Sequence, residues 1–358
     1  MIKIKTILVI FGGTSSEHEI SLKSAASIIP MLDKEKYNVL QVGITKNGCW
    51  MLTFANPQQI ENGSWENLHS NIYAILSPDR TNGGLILRRP LQTEILKVDC
   101  IWPILHGKWG EDGTIQGLFE LAGIPYVGCN VCASALSMDK SRTKMVVGKS
   151  DIEQANYHLV YKHTYEENPN KEIQTIINYF KSTFPLFVKP CSAGSSVGVT
   201  KVTNLDELEP AIKGALIHDE KVLVEETIVG REVEVAVLGN KNPQASIVGE
   251  ILSANEFYDY SAKYINSASR TIIPANILPE EQSRLQDAAI TIYSLLECSG
   301  LSRVDFFLTK DGTPIFNEIN TMPGFTNISM YPKLWEASGI PYSQLVDKLI
   351  SLALEHNY

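Results

Sequence analysis

The sequence predicts an α/β chain in three parts, opened by a doubly wound domain on a parallel sheet. Two observations carry that class. The start reads as a buried strand, a Gly-rich break, a helix and a second strand, a β-α-β opening. The last third switches to strands with strict alternation and a tight hairpin signal.

Thr6–Phe11 is a continuous apolar run rich in β-branched residues, so it is expected as a buried strand. Gly12-Gly13-Thr14-Ser15-Ser16 breaks it. A helix follows, with Ile20, Leu22, Ala25, Ala26 and Ile29 on its apolar side. Val39–Ile44 and Val98–Leu105 are further strands, Ile115–Leu121 a short helix, and Pro125–Val127 a short strand. A boundary is expected near Gly128, giving a first part over 1–128. In the second part, 129–226, Met138–Lys149, Lys171–Ser182 and Asp206–His218 are expected as helices, the last capped by Asp206. Pro185–Lys189, Val197–Val202 and Val222–Val224 are expected as strands. The third part, 227–358, opens with Arg231–Leu238. Its Glu232, Glu234 and Ala236 alternate with Val233, Val235 and Val237, the pattern of a half-buried antiparallel strand. Ser253–Ser269 is a long polar stretch with Tyr258, Tyr260 and Tyr264, a candidate lid. A helix over Pro279–Cys298, two strands and a final helix from Ser343 complete the chain.

Composition narrows the function. Forty acidic residues against 31 Lys and Arg leave a net charge of −9, which argues against a nucleic-acid binder. No run approaches the ~18 apolar residues of a membrane span, and Met1–Lys5 lacks a signal-peptide layout, so a cytoplasmic protein is expected. The six scattered Cys do not describe a disulfide scaffold. Cys129 and Cys132 form a C-x-x-C without a second pair at zinc spacing. They read as a metal or redox pair, or as two small buried thiols at a strand-to-helix junction.

Five segments carry chemistry. Arg303–Leu308 and Pro314–Asn320 flank Asp311-Gly312, a two-residue hairpin signal. A turn there pairs Asp305 with Glu318 and Arg303 with Asn320, all on one face. Opposed like charges are destabilising, and a cation between them removes the conflict. Two carboxylates and an amide oxygen suit Mg²⁺; the alternative is a solvated strand face. Lys189–Val199 is a strand ending in Lys and a Gly/Ser loop, either a phosphate cradle or a plain hairpin loop. Glu17, after the first strand, suits a substrate ammonium or the dipole of its own helix. His106, in Leu105–Thr114, is placed to orient a carboxylate or to cap a turn. Val224–Ile228 ends a strand at the second boundary, where an edge backbone reads a flat base or a linker simply passes.

Together these segments resemble the D-alanine–D-alanine ligase family of the ATP-grasp superfamily over essentially the whole chain. The resemblance rests on GGTSSEHEIS at 12–21, LHGKWGEDGTIQG at 105–117, ASALSMDK at 133–140 and VKPCSAGSSVGV at 188–199. It extends through EFYDYSAKY at 256–264, RVDFFL at 303–308 and NEINTMPGFT at 317–326. It implies a three-domain ATP-grasp fold with ATP between the second and third parts. Lys140 and Lys189 are then the phosphate contacts. Glu225, Glu226 and Ile228 form the adenine segment, Glu232 contacts the ribose, and Phe257 and Asn317 also belong to the nucleotide site. Asp305, Glu318 and Asn320 match the ligands of two Mg²⁺, with Mn²⁺ as a substitute. Glu17 holds the ammonium of the first D-alanine, with Ser195 and Tyr264 as its partners. Arg303 stabilises the tetrahedral intermediate. His106, Lys263, Ser329 and Met330 fall to the substrate pocket, Ser329 and the backbone near Met330 taking the second carboxylate. A homodimer and a role in peptidoglycan precursor synthesis are implied as well. Cys191, Ser192, Met322 and Met330 depart from the common pattern without touching a proposed catalytic group. The alternatives are ligases whose acceptor is D-lactate or D-serine. Tyr264 argues against D-lactate, since that version of the family tends to lose this Tyr.

Overall fold

Three β-sheets organise the computed structural model, which describes residues 4–89, 92–252 and 270–355. The first sheet holds seven strands: β1 (Lys5–Gly12), β2 (Tyr37–Ile44), β3 (Trp50–Thr53), β4 (Ile72–Leu76), β5 (Gly84–Arg88), β6 (Thr93–Lys97) and β7 (Cys100–Ile104). Their order is β6-β5-β4-β3-β2-β1-β7. Only β2, β1 and β7 run parallel, and they are the strands expected from the opening pattern. The other four add an antiparallel meander of four- and five-residue strands. Pro125–Val127 contributes a single parallel bridge, Ile101 to Tyr126, rather than a strand. Helices α1 (His18–Ile28), α2 (Pro57–Glu61) and α3 (Thr114–Ala122) accompany this sheet.

The predicted helix over 138–149 is α5 (Lys140–Val147), and a further helix that the sequence reading did not expect, α4 (Val131–Met138), precedes it. Asp139 separates them in extended backbone, and its carboxylate accepts from Ser141 N (3.1 Å) and Arg142 N (3.3 Å). An Asp that caps the next helix ends the preceding one. The second sheet comprises β8 (Tyr157–Tyr161), β9 (Leu186–Pro190), β10 (Thr200–Val202) and β11 (Lys221–Glu226) in the order β10-β9-β11-β8. Helices α6 (Lys162–Glu167), α7 (Pro169–Tyr179) and α8 (Leu205–Ala215) belong to this part. The cap of α8 is Asn204, which accepts from Asp206 N, so the predicted Asp206 cap is two residues too late.

The third sheet orders β14-β13-β12-β15-β16, from β12 (Arg231–Leu238), β13 (Gln244–Leu252), β14 (Arg270–Ile272), β15 (Leu301–Leu308) and β16 (Pro314–Asn320). Helices α9 (Pro279–Leu295) and α10 (Met330–Ala337) pack with it, and α11 (Tyr342–Leu354) packs on α10 and on β7 of the first sheet. β12 is antiparallel, as its alternation predicts, but it is buried on both faces rather than one. Val233, Val235 and Val237 pack with Leu285, Ala289 and Ile292 of α9, while Glu234 on the other face is only 4% exposed.

Cores join these parts unequally. The second sheet has its own apolar core from Val160 to Val224. The first and last parts share one: Ile7, Val9 and Trp102 pack with Phe325, Leu334 and Leu349. Trp102 and Phe325 meet edge to face, centroids 6.0 Å apart. Residues of α4 and α5, including Ala133 and Val147, pack into the core of the third sheet.

Candidate active site

Glu17 precedes α1 at the carboxyl end of β1. It makes no capping bond to its own helix, so its carboxylate is available to the cavity in front of it. Two glycines hold that carboxylate. A Cβ on Gly107 would lie 2.2 Å from Glu17 Oε2, and one on Gly194 would lie 2.7 Å from it. Ser195 Oγ donates to Glu17 Oε1 across the chain. Ser195 and Ser196 both take left-handed backbone, φ +49° and +58°, which turns the 191–199 loop back on itself.

Asp305 faces Glu318 and Arg303 faces Asn320, the pairs expected from the sequence, but the turn reaches them by another route. Thr309 N donates to Thr313 O, so the loop holds three residues, with Gly312 left-handed at φ +76°. That loop shifts the register by one: Leu308 pairs with Pro314 and Phe306 with Phe316. A bulge at Asn317 restores it before Glu318. Arg303 donates twice to Asp305, each bond 2.7 Å, and lies 3.0 Å from Glu234. Burial opposes the guanidinium charge, but Asp305 and Glu234 outweigh it and keep Arg303 protonated. Asn320 Nδ2 donates to Asp305 Oδ2 at 3.1 Å, which leaves its amide oxygen free of that bond. Lys140 Nζ reaches Glu318 (3.3 Å) and donates to Ala193 O (3.0 Å).

A second group adjoins through Asn317. Glu225 is buried between two ammoniums, Lys144 (2.9 Å) and Lys189 (2.6 Å). Burial alone would raise its pKa, but those cations pull it down to about 2. Lys189 also lies 3.5 Å from Asn317 Oδ1. The side chain of Glu226 is held by Asn156 N and Nδ2 at 2.8 and 2.9 Å, Ile228 is half-buried, and Glu232 lies on β12 opposite Phe307.

His106 lines the cavity, yet both ring nitrogens have protein partners. Nδ1 is 3.0 Å from Met322 O and Nε2 is 3.1 Å from Ser24 Oγ. Burial holds its pKa down, so the ring is neutral. Ser329 Oγ lies 2.8 Å from Thr326 Oγ1 and accepts from Thr326 N (3.0 Å), and Met330 begins α10. Phe257, Lys263 and Tyr264, with the expected lid over 253–269, lie outside the described residues.

Glu17, His106, Lys140, Ser195, Arg303, Glu318, Asn320, Ser329 and Met330 thus line one cavity of about 500 Å³. Lys189, Glu225, Glu226, Ile228, Glu232, Asp305 and Asn317 lie outside its wall. Three residues escaped the sequence reading. Glu234 sat in the alternation of β12 as an ordinary polar position. Lys144 falls one turn after Lys140 on the same helix face. Glu111 stood in the 105–114 motif without a partner to mark it.

The donor set fits a hard divalent cation. It comprises two carboxylates opposed across a ladder plus the amide oxygen of Asn320, with Lys140 and Arg303 offsetting their charge in this structure. Among the described residues no group of three or more His, Cys, Asp or Glu side chains converges, at this site or any other, so the set rests on two carboxylates and an amide. Cys129 is buried, Cys132 exposed, and all six thiols are free.

Comparison with known proteins now decides the family. A family model described as D-ala D-ala ligase N-terminus matches residues 6–129, and one described as D-ala D-ala ligase C-terminus matches 146–351. The chain belongs to the D-alanine–D-alanine ligase family. It is 48% identical to a D-alanine–D-alanine ligase of Caldicellulosiruptor bescii, covering 100% of this chain and 97% of that protein. It is also 48% identical to one of Clostridium acetobutylicum, covering 99% of each. Among solved structures it is similar to the VanG D-Ala:D-Ser ligase of Enterococcus faecalis. That likeness is 43% identity and a TM-score of 0.89, over 98% of this chain and 100% of the other. The D-alanine-D-alanine ligase of Coxiella burnetii is 36% identical with a TM-score of 0.83, over 98% and 95%.

Proposed function

We propose that the chain joins two D-alanine molecules into D-alanyl-D-alanine, using ATP. It is an ATP-dependent ligase of small-molecule substrates. The observation that carries the reading is the cavity lined by Glu17, Ser195, Arg303 and Ser329, with Asp305 behind its wall holding Arg303. One end offers a carboxylate for an ammonium, the middle a buried cation, and the other end a hydroxyl beside the start of a helix.

In this reading Glu17, fixed by Ser195, Gly107 and Gly194, takes the ammonium of the first D-alanine. The carboxylate of that D-alanine attacks the γ-phosphate of ATP, and ADP leaves. Lys140 and Lys189 offset the phosphate charge, each fixed by a carboxylate, Glu318 and Glu225 respectively. The amine of the second D-alanine attacks the acyl carbon, its carboxylate held at Ser329 and Met330. The amide C–N bond forms, the C–O bond to phosphate breaks, and the amine gives up a proton. Arg303 stabilises the oxyanion between these events. Asp305, Glu318 and Asn320 would hold Mg²⁺, or Mn²⁺ in its place, which supplies charge neutralisation for the phosphates. Glu225, Glu226, Ile228 and Glu232 would form the adenine and ribose side. Since the Glu225 and Glu226 carboxylates already serve Lys and Asn partners, their backbone would meet the base. Parts 1–128, 129–226 and 227–358 would act as the three domains of an ATP-grasp enzyme, a homodimer in the cytoplasm. No helix among the described residues is long and apolar enough to cross a membrane.

A product assay tests the reading: purified chain, ATP, Mg²⁺ and D-alanine, with D-serine and D-lactate offered in competition. D-alanyl-D-alanine with one phosphate per dipeptide is the expected result. The 43% identity to a D-Ala:D-Ser ligase makes D-serine the second reading. Predominant D-alanyl-D-serine would establish it in place of the first.

A further inference from the structure

The peptide of Met322 is gripped from both sides by two residues of the first part. His106 Nδ1 donates to Met322 O at 3.0 Å, and Met322 N donates to Glu111 Oε2 at 3.2 Å. The grip is itself braced. Gly107 N donates to Glu111 Oε1 at 2.8 Å, and Ser15 Oγ donates to His106 O at 2.7 Å. Ser24 Oγ sits against His106 Nε2 (3.1 Å) and accepts from Phe325 N (3.3 Å). Two side chains 216 and 211 positions away in sequence thus satisfy a donor and an acceptor of one backbone unit, as a neighbouring strand would.

What they hold is a wall of the cavity. Asn320–Gly324 lines it beside Thr326, Ser329 and Met330. Gly324 packs so closely on the far end that a Cβ there would lie 2.9 Å from Ser329 Oγ. The near end of the same brace reaches the other subsite, through Gly107 against Glu17. Displacement of Met322 therefore moves the floor under Ser329 directly, and reaches Glu17 only through Glu111 and Gly107.

We propose that His106 and Glu111 are positioning residues for the acceptor: they set the Met322–Gly324 backbone against which the second amino acid is read. This rests on the assignment of Ser329 and Met330 to that substrate. His106 therefore acts through Met322 and not by contact with substrate, since both its nitrogens are already bonded.

Glu111→Gln tests this, because it keeps the volume and replaces one acceptor with an NH₂ that opposes a backbone N–H. His106→Gln removes the ring and its fixed two-sided bonding. Dissociation constants for D-alanine at the first subsite and for ATP are measured by protection against thermal unfolding. Initial rates over a wide D-alanine range give the KM at the second subsite, and D-alanine with D-serine in competition gives the acceptor ratio. The expected result in either variant is a rise of about tenfold in the second KM, the change that corresponds to about 1.4 kcal/mol. The D-serine to D-alanine product ratio changes with it, while the ATP constant stays within about twofold and the first-site constant changes by less than the second KM. An unchanged acceptor ratio, or a loss shared equally by all three constants, overturns the proposal. Should His106→Gln fail to fold, the isosteric Glu111→Gln decides alone. Failure of the wild type to form any D-alanyl product would overturn the underlying reading instead, and is scored separately before the variants are compared.

Discussion

Glu17 is held between Gly107 and Gly194 so closely that a Cβ at either position would push its carboxylate aside. Two predictions belong to this residue scale. An ammonium on Glu17 gains a charge-assisted hydrogen bond, worth about 1.5–3 kcal/mol. Glu17→Gln is therefore expected to raise the KM for the first D-alanine about tenfold or more with the KM for ATP little changed. Steady-state kinetics with each substrate varied checks it, and equal changes in both would indicate a role at the start of α1 only. Gly107→Ala puts a methyl 2.2 Å from Glu17 Oε2 at a backbone φ of +72°. The left-handed conformation costs about 1 kcal/mol. Displacement of Glu17 is expected to cost far more activity than stability. A nearly normal melting temperature with activity down by more than about tenfold is the outcome sought. Glu17 was legible because a carboxylate follows a Gly-rich turn at a strand end. Its clamps were not, because a glycine's neighbours lie 90 and 177 positions away in sequence.

At the scale of elements, the β15–β16 hairpin brings the metal-type donors together. The pairing of Asp305 with Glu318 could be read from Asp311-Gly312, yet two departures from that reading cancel: a three-residue loop and the bulge at Asn317. Local turn chemistry reports that a turn exists. A bulge depends on what the strand packs against, here Lys189 beside Asn317. Glu318→Ala removes one of two opposed carboxylates and its contact to Lys140. Exposed or half-exposed pairs of this kind contribute about 0–1 kcal/mol, and relief of like-charge repulsion offsets that loss. The metal-free melting temperature is expected to hold within a few degrees. Turnover at saturating Mg²⁺ is expected to fall by more than about a hundredfold. Near-normal turnover would remove Glu318 from the metal site.

At the scale of the whole molecule, Glu111 joins the first part to the last and pays attention to pH. Burial, then the nearby Glu17, push its pKa up to about 8. A carboxylic acid with a folded-state pKa above its unfolded value binds more protons folded than unfolded. Its contribution is fully present below about pH 4.5 and is lost as pH rises toward 8, with a slope of at most about 1.4 kcal/mol per pH unit. The melting temperature of the wild type is expected to fall between pH 6 and pH 9 more steeply than that of Glu111→Gln. Parallel curves for the two proteins would show that Glu111 ionises normally.

The sequence by itself determined the strand–helix opening, the hairpin and the order of the motifs along the chain. Each of these is written in local periodicity and turn residues, which act over a few positions. Only the tertiary structure decided which motifs share a cavity and which side chains are already spent. Glu225 is taken by Lys144 and Lys189, His106 by Met322 and Ser24, and Asp305 by Arg303. Those assignments come from close packing between parts of the chain far apart in sequence, where burial drives most polar atoms to find a partner and local pattern carries no record of which one they find.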